Sequence, residues 1–263
     1  MIALCKTCGT SYEVPGSHPQ HCDICTDERQ YVPASGQEWL DVDALHRSHA
    51  NKWRQHDDAL LSLRTVPDFA IDQRAFILLT PEGNILWDCI ANLDDATKRL
   101  ITALGGLKAI AISHPHYYTT MQDWAEAFNA PIYLHASDRR WVMRDSPHIA
   151  FWEGDTLALA SDIKIMRLGG HFAGGSVLHW ARDGGIVLSG DIVQVTPGAD
   201  AVSFMWSYPN MLPLPASAVA DITRRLGAVT FNRLYGAFEG KDLLQNADKI
   251  VRRSGEKYIA CLR

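Results

Sequence analysis

Nowhere in the chain do about 18 apolar residues run together, so no segment reads as a membrane-spanning helix. Met1 to Leu4 lead directly into a cysteine motif rather than a basic and then apolar leader, and the expected compartment is therefore the cytoplasm. A basic surplus is missing too. The 25 Lys and Arg stand against 30 Asp and Glu, a net charge of -5, which argues against a broad electrostatic footprint for nucleic acid or an anionic membrane. The absence of internal repeats and low-complexity tracts removes solenoids and arrays. What remains is a globular composition, 47% hydrophobic, long enough at 263 residues for one large α/β domain or a domain with a small appendage. The expected partner is a small-molecule substrate.

Cysteine is scarce but concentrated. Cys5-Lys6-Thr7-Cys8 and Cys22-Asp23-Ile24-Cys25 are two Cys-x2-Cys knuckles separated by thirteen residues. Each spacing lets two thiolates from one tight turn face a common ion, and two knuckles complete a tetrahedral four-cysteine zinc site. Two disulfides are the competing reading, disfavoured in a reducing compartment. Four sulfurs close the shell and leave no position for substrate, so this zinc is expected to be structural. It would staple residues 1–33, a segment too small to fold on its own core. Cys89 and Cys261 read as buried or terminal thiols.

From Gly36 to Arg64 the spacing of Trp39, Leu40, Leu45, Trp53 and Leu60 suits one or two short amphipathic helices, giving a helical linker over 34–67. A main domain then follows over 68–263. Pro81-Glu82-Gly83-Asn84 supplies a hairpin turn between Ala75–Leu79 and Ile85–Ile90, and Asp88 interrupts the second of these strands as an acid in need of a partner. The apolar run 107–112 ends in Ser113-His114-Pro115-His116, which places two imidazoles on a loop at a sheet rim. His171 lies in the Gly-rich turn 169–175, and Asp191 follows Gly190 after the strand Ile186–Leu188. A His-x-His, a histidine in a glycine loop and an Asp after a Gly, each at the carboxyl end of an apolar strand, would converge if the strands share a sheet.

This order of motifs resembles the metallo-β-lactamase superfamily, an α/β fold built as an αββα sandwich with its metals on loops at one rim. The resemblance covers about residues 68–255, after the zinc-ribbon extension. Asp88 matches the Asp that supports the metal histidines. His114, His116, Tyr118 and Thr119 align with the His-x-His-x-Asp-His motif, His171 with the third motif and Asp191 with the fourth. The departures are Tyr118 and Thr119, which replace two ligands of the second metal, and Leu234 to Gly240, which lacks the late histidine. The resemblance thus implies one metal held by His114, His116 and His171, with Asp191 binding the ion or its water.

Three neutral imidazoles leave a zinc ion one open position and bring bound water to a pKa of about 7, which supplies hydroxide as nucleophile. Iron or manganese also suits imidazole. The roles expected are Asp191 for the proton of that water, Asp88 for fixing a histidine tautomer by accepting its second ring N–H, and Tyr118 either for the oxyanion or as a filler of the vacated volume. The aromatic, proline-rich stretch 202–215 can wall the substrate pocket, form the contact of a homo-oligomer or simply pack in the core. The function expected is a metal-dependent hydrolase of a small ester, thioester, lactone or amide. Its alternatives are a non-catalytic binding protein on the same scaffold and, disfavoured by charge, a nucleic-acid processor.

Overall fold

The computed structural model describes residues 1–262. A seven-stranded sheet runs in the order Ile149–Trp152, Ile132–His135, Ala109–Ala111, Ile85–Trp87, Arg74–Leu78, Leu60–Val66, Ala50–Gln55. A six-stranded sheet runs Thr156–Ala158, Ile163–Arg167, Ser176–Trp180, Ile186–Leu188, Arg233–Tyr235, Asp242–Leu243. Side chains alternate along a strand, and the layers follow from that period. Phe76, Leu78, Ile85 and Trp87 of the first sheet meet Ile165, Leu178, Ile186 and Leu188 of the second in the central layer. Their neighbours Ala75, Ile77 and Leu86 face outward onto Ile101, Met121 and Trp124 of helices Asp95–Ala103 and Met121–Phe128. On the other side Val177, Val187 and Leu234 face helices Ala216–Leu226 and Ala247–Cys261. The result is the expected αββα sandwich.

The stretch 36–64 departs from expectation. Only Val42–Ser48 is helical; Ala50–Gln55 and Leu60–Val66 are paired strands of the large sheet, Trp53 opposite Leu63. The expected helical linker is therefore corrected, since residues 50–66 belong to the sandwich itself. The physical reason is that Leu60–Val66 is covered on both faces, Leu60 in the central layer and Leu63 in the outer one, so its apolar run carries no clean alternation. Its partner is the sheet edge, where Lys52 and Arg54 replace apolar residues, as edge strands commonly do.

The amino-terminal segment forms a small antiparallel sheet of Ile2–Cys5, Ser11–Glu13 and Trp39–Asp41. It docks against the sandwich through two hydrogen bonds on one acceptor. Ser11 donates both its backbone N–H (3.0 Å) and its hydroxyl (2.6 Å) to the Thr119 carbonyl. Trp141 and Met143 of the sandwich pack on the segment's core of Cys5, Tyr12 and Cys22.

Candidate metal centre

Parallel pairing of Trp87 with Ala111, and of Leu188 with Tyr235, puts the carboxyl ends of each pair at the same end of its sheet. The loops leaving those ends carry Asp88, Ser113 to His116, and Ser189 to Asp191. His171 arrives on the glycine-rich turn between Ile163–Arg167 and Ser176–Trp180. One ligand atom from each of His114, His116, His171 and Asp191 lies within 4.8 Å of all the others, and all four residues are buried.

Each side chain is held from behind. Asp88, at φ 63°, adopts the left-handed conformation that Asp tolerates, and its Oδ1 accepts the Ser113 backbone N–H at 2.7 Å. The Ser113 hydroxyl lies 2.8 Å from His114 Nδ1 and close enough to Asp88 to counter the effect of burial on that carboxyl. The expected direct contact from Asp88 to a metal histidine is thus corrected: Ser113 is interposed. With the hydroxyl donating to the carboxylate, its oxygen accepts Nδ1–H and leaves His114 Nε2 bare. His171 is set the same way, since its Nδ1 donates to the Trp206 carbonyl at 2.7 Å. Its Nε2 then lies 3.3 Å from His116 Nδ1, and His114 Nε2 lies 3.6 Å from Asp191 Oδ2.

These separations fit a metal ion. Zinc–nitrogen bonds of 2.0–2.1 Å in a tetrahedron put ligand atoms about 3.3 Å apart. Buried polar atoms need partners, and among the described residues His114 Nε2, which faces Asp191 Oδ2 at 3.6 Å, makes no hydrogen bond. Burial, then the neighbouring imidazoles, pushes His116 well below its ordinary value; burial, then His114, brings His171 to about 3. Both imidazoles are therefore neutral at pH 7, the form that ligates.

The four cysteines meet in the same manner, with Sγ atoms of Cys5 and Cys25 3.5 Å apart and those of Cys8 and Cys22 3.6 Å apart. Zn–S bonds of 2.3 Å give about 3.8 Å for a tetrahedral edge. Gln37 Nε2 donates to Cys5 Sγ and Tyr12 hydroxyl to Cys22 Sγ, the donors that thiolates call for. All four cysteines are free of disulfides.

Other expected residues are not brought to this site. Tyr118 is buried in the outer core layer with Met121 and Trp124, while its neighbour Tyr117 stands edge-on to His114 and donates to the Ala237 carbonyl. Thr119 gives its carbonyl to Ser11. Phe238 of the loop without a late histidine lines a cavity of about 260 Å³ with His116, His171, Asp191 and Tyr208. Arg29, Gln30 and Tyr31 line it as well, which no local signal in the sequence announces. His135 and His179 are satisfied by the carbonyls of Gly154 and Thr230.

No family model matches the chain. Solved structures similar to it are metallo-β-lactamases. VMB-1 superposes with a TM-score of 0.59 at 12% identity, covering 81% of this chain and 98% of that one. DIM-1 gives 0.58 at 13% identity over 79% and 97%. A B3 metallo-β-lactamase with an active-site glutamic acid gives 0.53 at 16% identity over 80% and 88%. In sequence, the chain is 46% identical over 264 aligned positions to "Uncharacterized protein YmaE" of Bacillus subtilis (strain 168), covering 98% of this chain and 96% of that protein. At that identity over nearly the whole of both chains, the protein belongs to the family of YmaE, and its fold is that of the metallo-β-lactamases.

Proposed function

We propose that the protein is a hydrolase with one catalytic metal ion, zinc by preference of the donor set, acting on a small ester, thioester, lactone or amide. The observation that carries this reading is the convergence of three imidazoles and Asp191 beside a cavity, with the buried His114 Nε2 left without a hydrogen-bond partner. The side chains that would hold a second ion are absent: Tyr118 lies in the core, and Thr119 turns its carbonyl to the amino-terminal segment.

What a zinc ion supplies here when bound is Lewis acidity and an acidified water. The residues do the rest. His114, His116 and His171 would hold the ion, with Asp88 and Ser113 fixing the His114 tautomer and Trp206 that of His171. One oxygen of Asp191 faces His114 while the other is free to take a proton from the attacking water. Tyr208 supports Asp191 from behind by donating to its carbonyl at 3.0 Å, whereas Tyr118 is left as a filler of the vacated volume. The cavity suits a small-molecule substrate, and four clustered free thiols suit a reducing compartment such as the cytoplasm.

Metal analysis combined with a hydrolysis screen tests the reading. Two zinc ions per chain are expected, falling to one in His116→Ala, and hydrolysis of a responsive ester or thioester should vanish in His171→Ala. A single zinc lost only when the cysteines are replaced would instead favour a non-catalytic binding protein.

A further inference from the structure

The amino-terminal segment does more than pack against the sandwich. Four residues after Cys25, Arg29 enters the cavity wall beside His116, His171 and Asp191, followed by Gln30. The strap is fixed on its far side, where Asn210 Nδ2 donates to the Glu28 and Gln30 carbonyls, both at 2.9 Å, and Trp206 Nε1 donates to Glu28 Oε1. The Arg29 guanidinium lies 3.9 Å from the Trp206 ring centroid and 4.5 Å from that of Phe172. Its side chain is 8% exposed.

Both residues keep unused hydrogen-bonding capacity. Arg29 Nη1 binds Asp27 at 2.8 Å, but among the described residues Nε has no partner, and neither has the buried Gln30 Oε1. A cation serving only as a pin between two aromatic rings would be satisfied by its stack and Asp27. An unfilled buried donor and an unfilled amide oxygen on two residues lining one cavity instead describe an incomplete polar site, because each such group is costly unless a partner arrives. The Gln30 amide can turn to offer oxygen or NH2. Among the described residues, Arg29 is the one Lys or Arg side chain lining this cavity. Planar oxyanions are what the guanidinium fork is shaped to receive, and here the aromatic rings around it restrain its position.

We propose that Arg29 and Gln30 form a subsite for an oxyanionic group of the substrate, a carboxylate at the end opposite the scissile bond, so that the four-cysteine segment is part of the substrate-binding machinery. This rests on the hydrolase reading for the identity of the scissile bond, but not for the anion site itself. The cavity of about 260 Å³ limits the occupant to a short acid.

Calorimetry on the zinc-loaded full chain with succinate, its neutral counterpart succinamide and inorganic phosphate tests it, with Trp206 fluorescence as a second readout. Succinate should bind and succinamide should bind much more weakly. Arg29→Met, which fills the space between the rings without charge, should weaken succinate roughly 10- to 100-fold, and Arg29→Lys less. Gln30→Ala should weaken it several-fold, with zinc content unchanged throughout. The proposal is overturned if the wild type shows no Arg29-dependent succinate binding, or if inorganic phosphate alone shows the dependence. Loss of the hydrolase reading is separate: it would appear as no cleavage of a neutral probe such as 4-nitrophenyl acetate by any form, with succinate binding still dependent on Arg29.

Discussion

Replacing Asp88 by Asn should separate metal binding from folding. The two side chains are nearly the same size, and Asn tolerates the φ of 63° as readily as Asp, so the backbone has no reason to move. What changes is the direction of two protons. The carboxylate accepts the Ser113 N–H, and in the proposed arrangement the nearby Ser113 hydroxyl turns its proton to the carboxylate, so that its oxygen accepts Nδ1–H of His114. If the introduced amide keeps its oxygen on the Ser113 N–H, its NH2 must donate to the Ser113 oxygen. The hydroxyl then turns to donate to Nδ1, and the imidazole proton moves to Nε2, where it faces Asp191 and the place of the ion. Outer partners of metal ligands are typically worth 10- to 100-fold in metal affinity, about 1.4–2.7 kcal/mol. A loss of that size is expected in competition titrations against a chelator. Metal-free stability should hold or rise, because burial pushes the Asp88 carboxyl well up and a buried charge is then removed. Unchanged metal affinity in Asp88→Asn would refute the proposed proton arrangement.

Gly190→Ala would place a methyl 2.5 Å from Ser113 Oγ at a φ of +50°. It should lower melting stability by about 1–3 kcal/mol and weaken metal binding along with it, by displacing Ser113. His171 titrates near 3 in the folded chain, against about 6.5 unfolded. The unfolded state therefore binds the extra proton between those values, and stability is lost as pH falls from 6.5 toward 3. In the metal-free protein, His171→Gln should flatten that fall by about 1.4 kcal/mol per pH unit in denaturant titrations; parallel pH profiles would count against a buried neutral imidazole. Trp124 is fully buried and donates to the Ile90 carbonyl at 2.9 Å. Trp124→Ala should destabilise by about 3–5 kcal/mol in chemical unfolding.

Much of the site was legible because its residues follow apolar strands with turn signals behind them. The hairpin at Pro81 to Asn84 and the strands before His114 and Asp191 fall where alternation and glycine place them, and parallel pairing then carries their ends to a common rim. The strand pair at 50–66 escaped because one member is buried on both faces and the other is a charged edge. Tyr118 escaped for a local reason. Pro115–Tyr117 is a 3-10 turn, in which successive side chains are about 120° apart, so Tyr117 reaches His114 and Tyr118 enters the core. Asp88 was recognisable as an acid needing a partner, but a one-residue relay through Ser113 has no spacing signature. Arg29 is placed by docking between segments about 180 residues apart, as its neighbour Glu28 is by Trp206 and Asn210, and no window along the chain contains that information.

Ser11 and Thr119 tie the fate of one ion to the other. The Thr119 carbonyl, three residues beyond His116, is gripped by Ser11 at 2.6 Å and 3.0 Å, and Ser11 stands on a strand paired with the one that ends at Cys5. If the four-cysteine segment takes an ion and folds around it, that binding would also order the loop that carries two ligands of the proposed histidine site. Such coupling is reciprocal in free energy, so occupancy of the histidine site must strengthen the cysteine site by the same factor. With both sites occupied as proposed, the two ions should load cooperatively, and limiting metal would leave fully loaded and empty molecules with few half-filled ones.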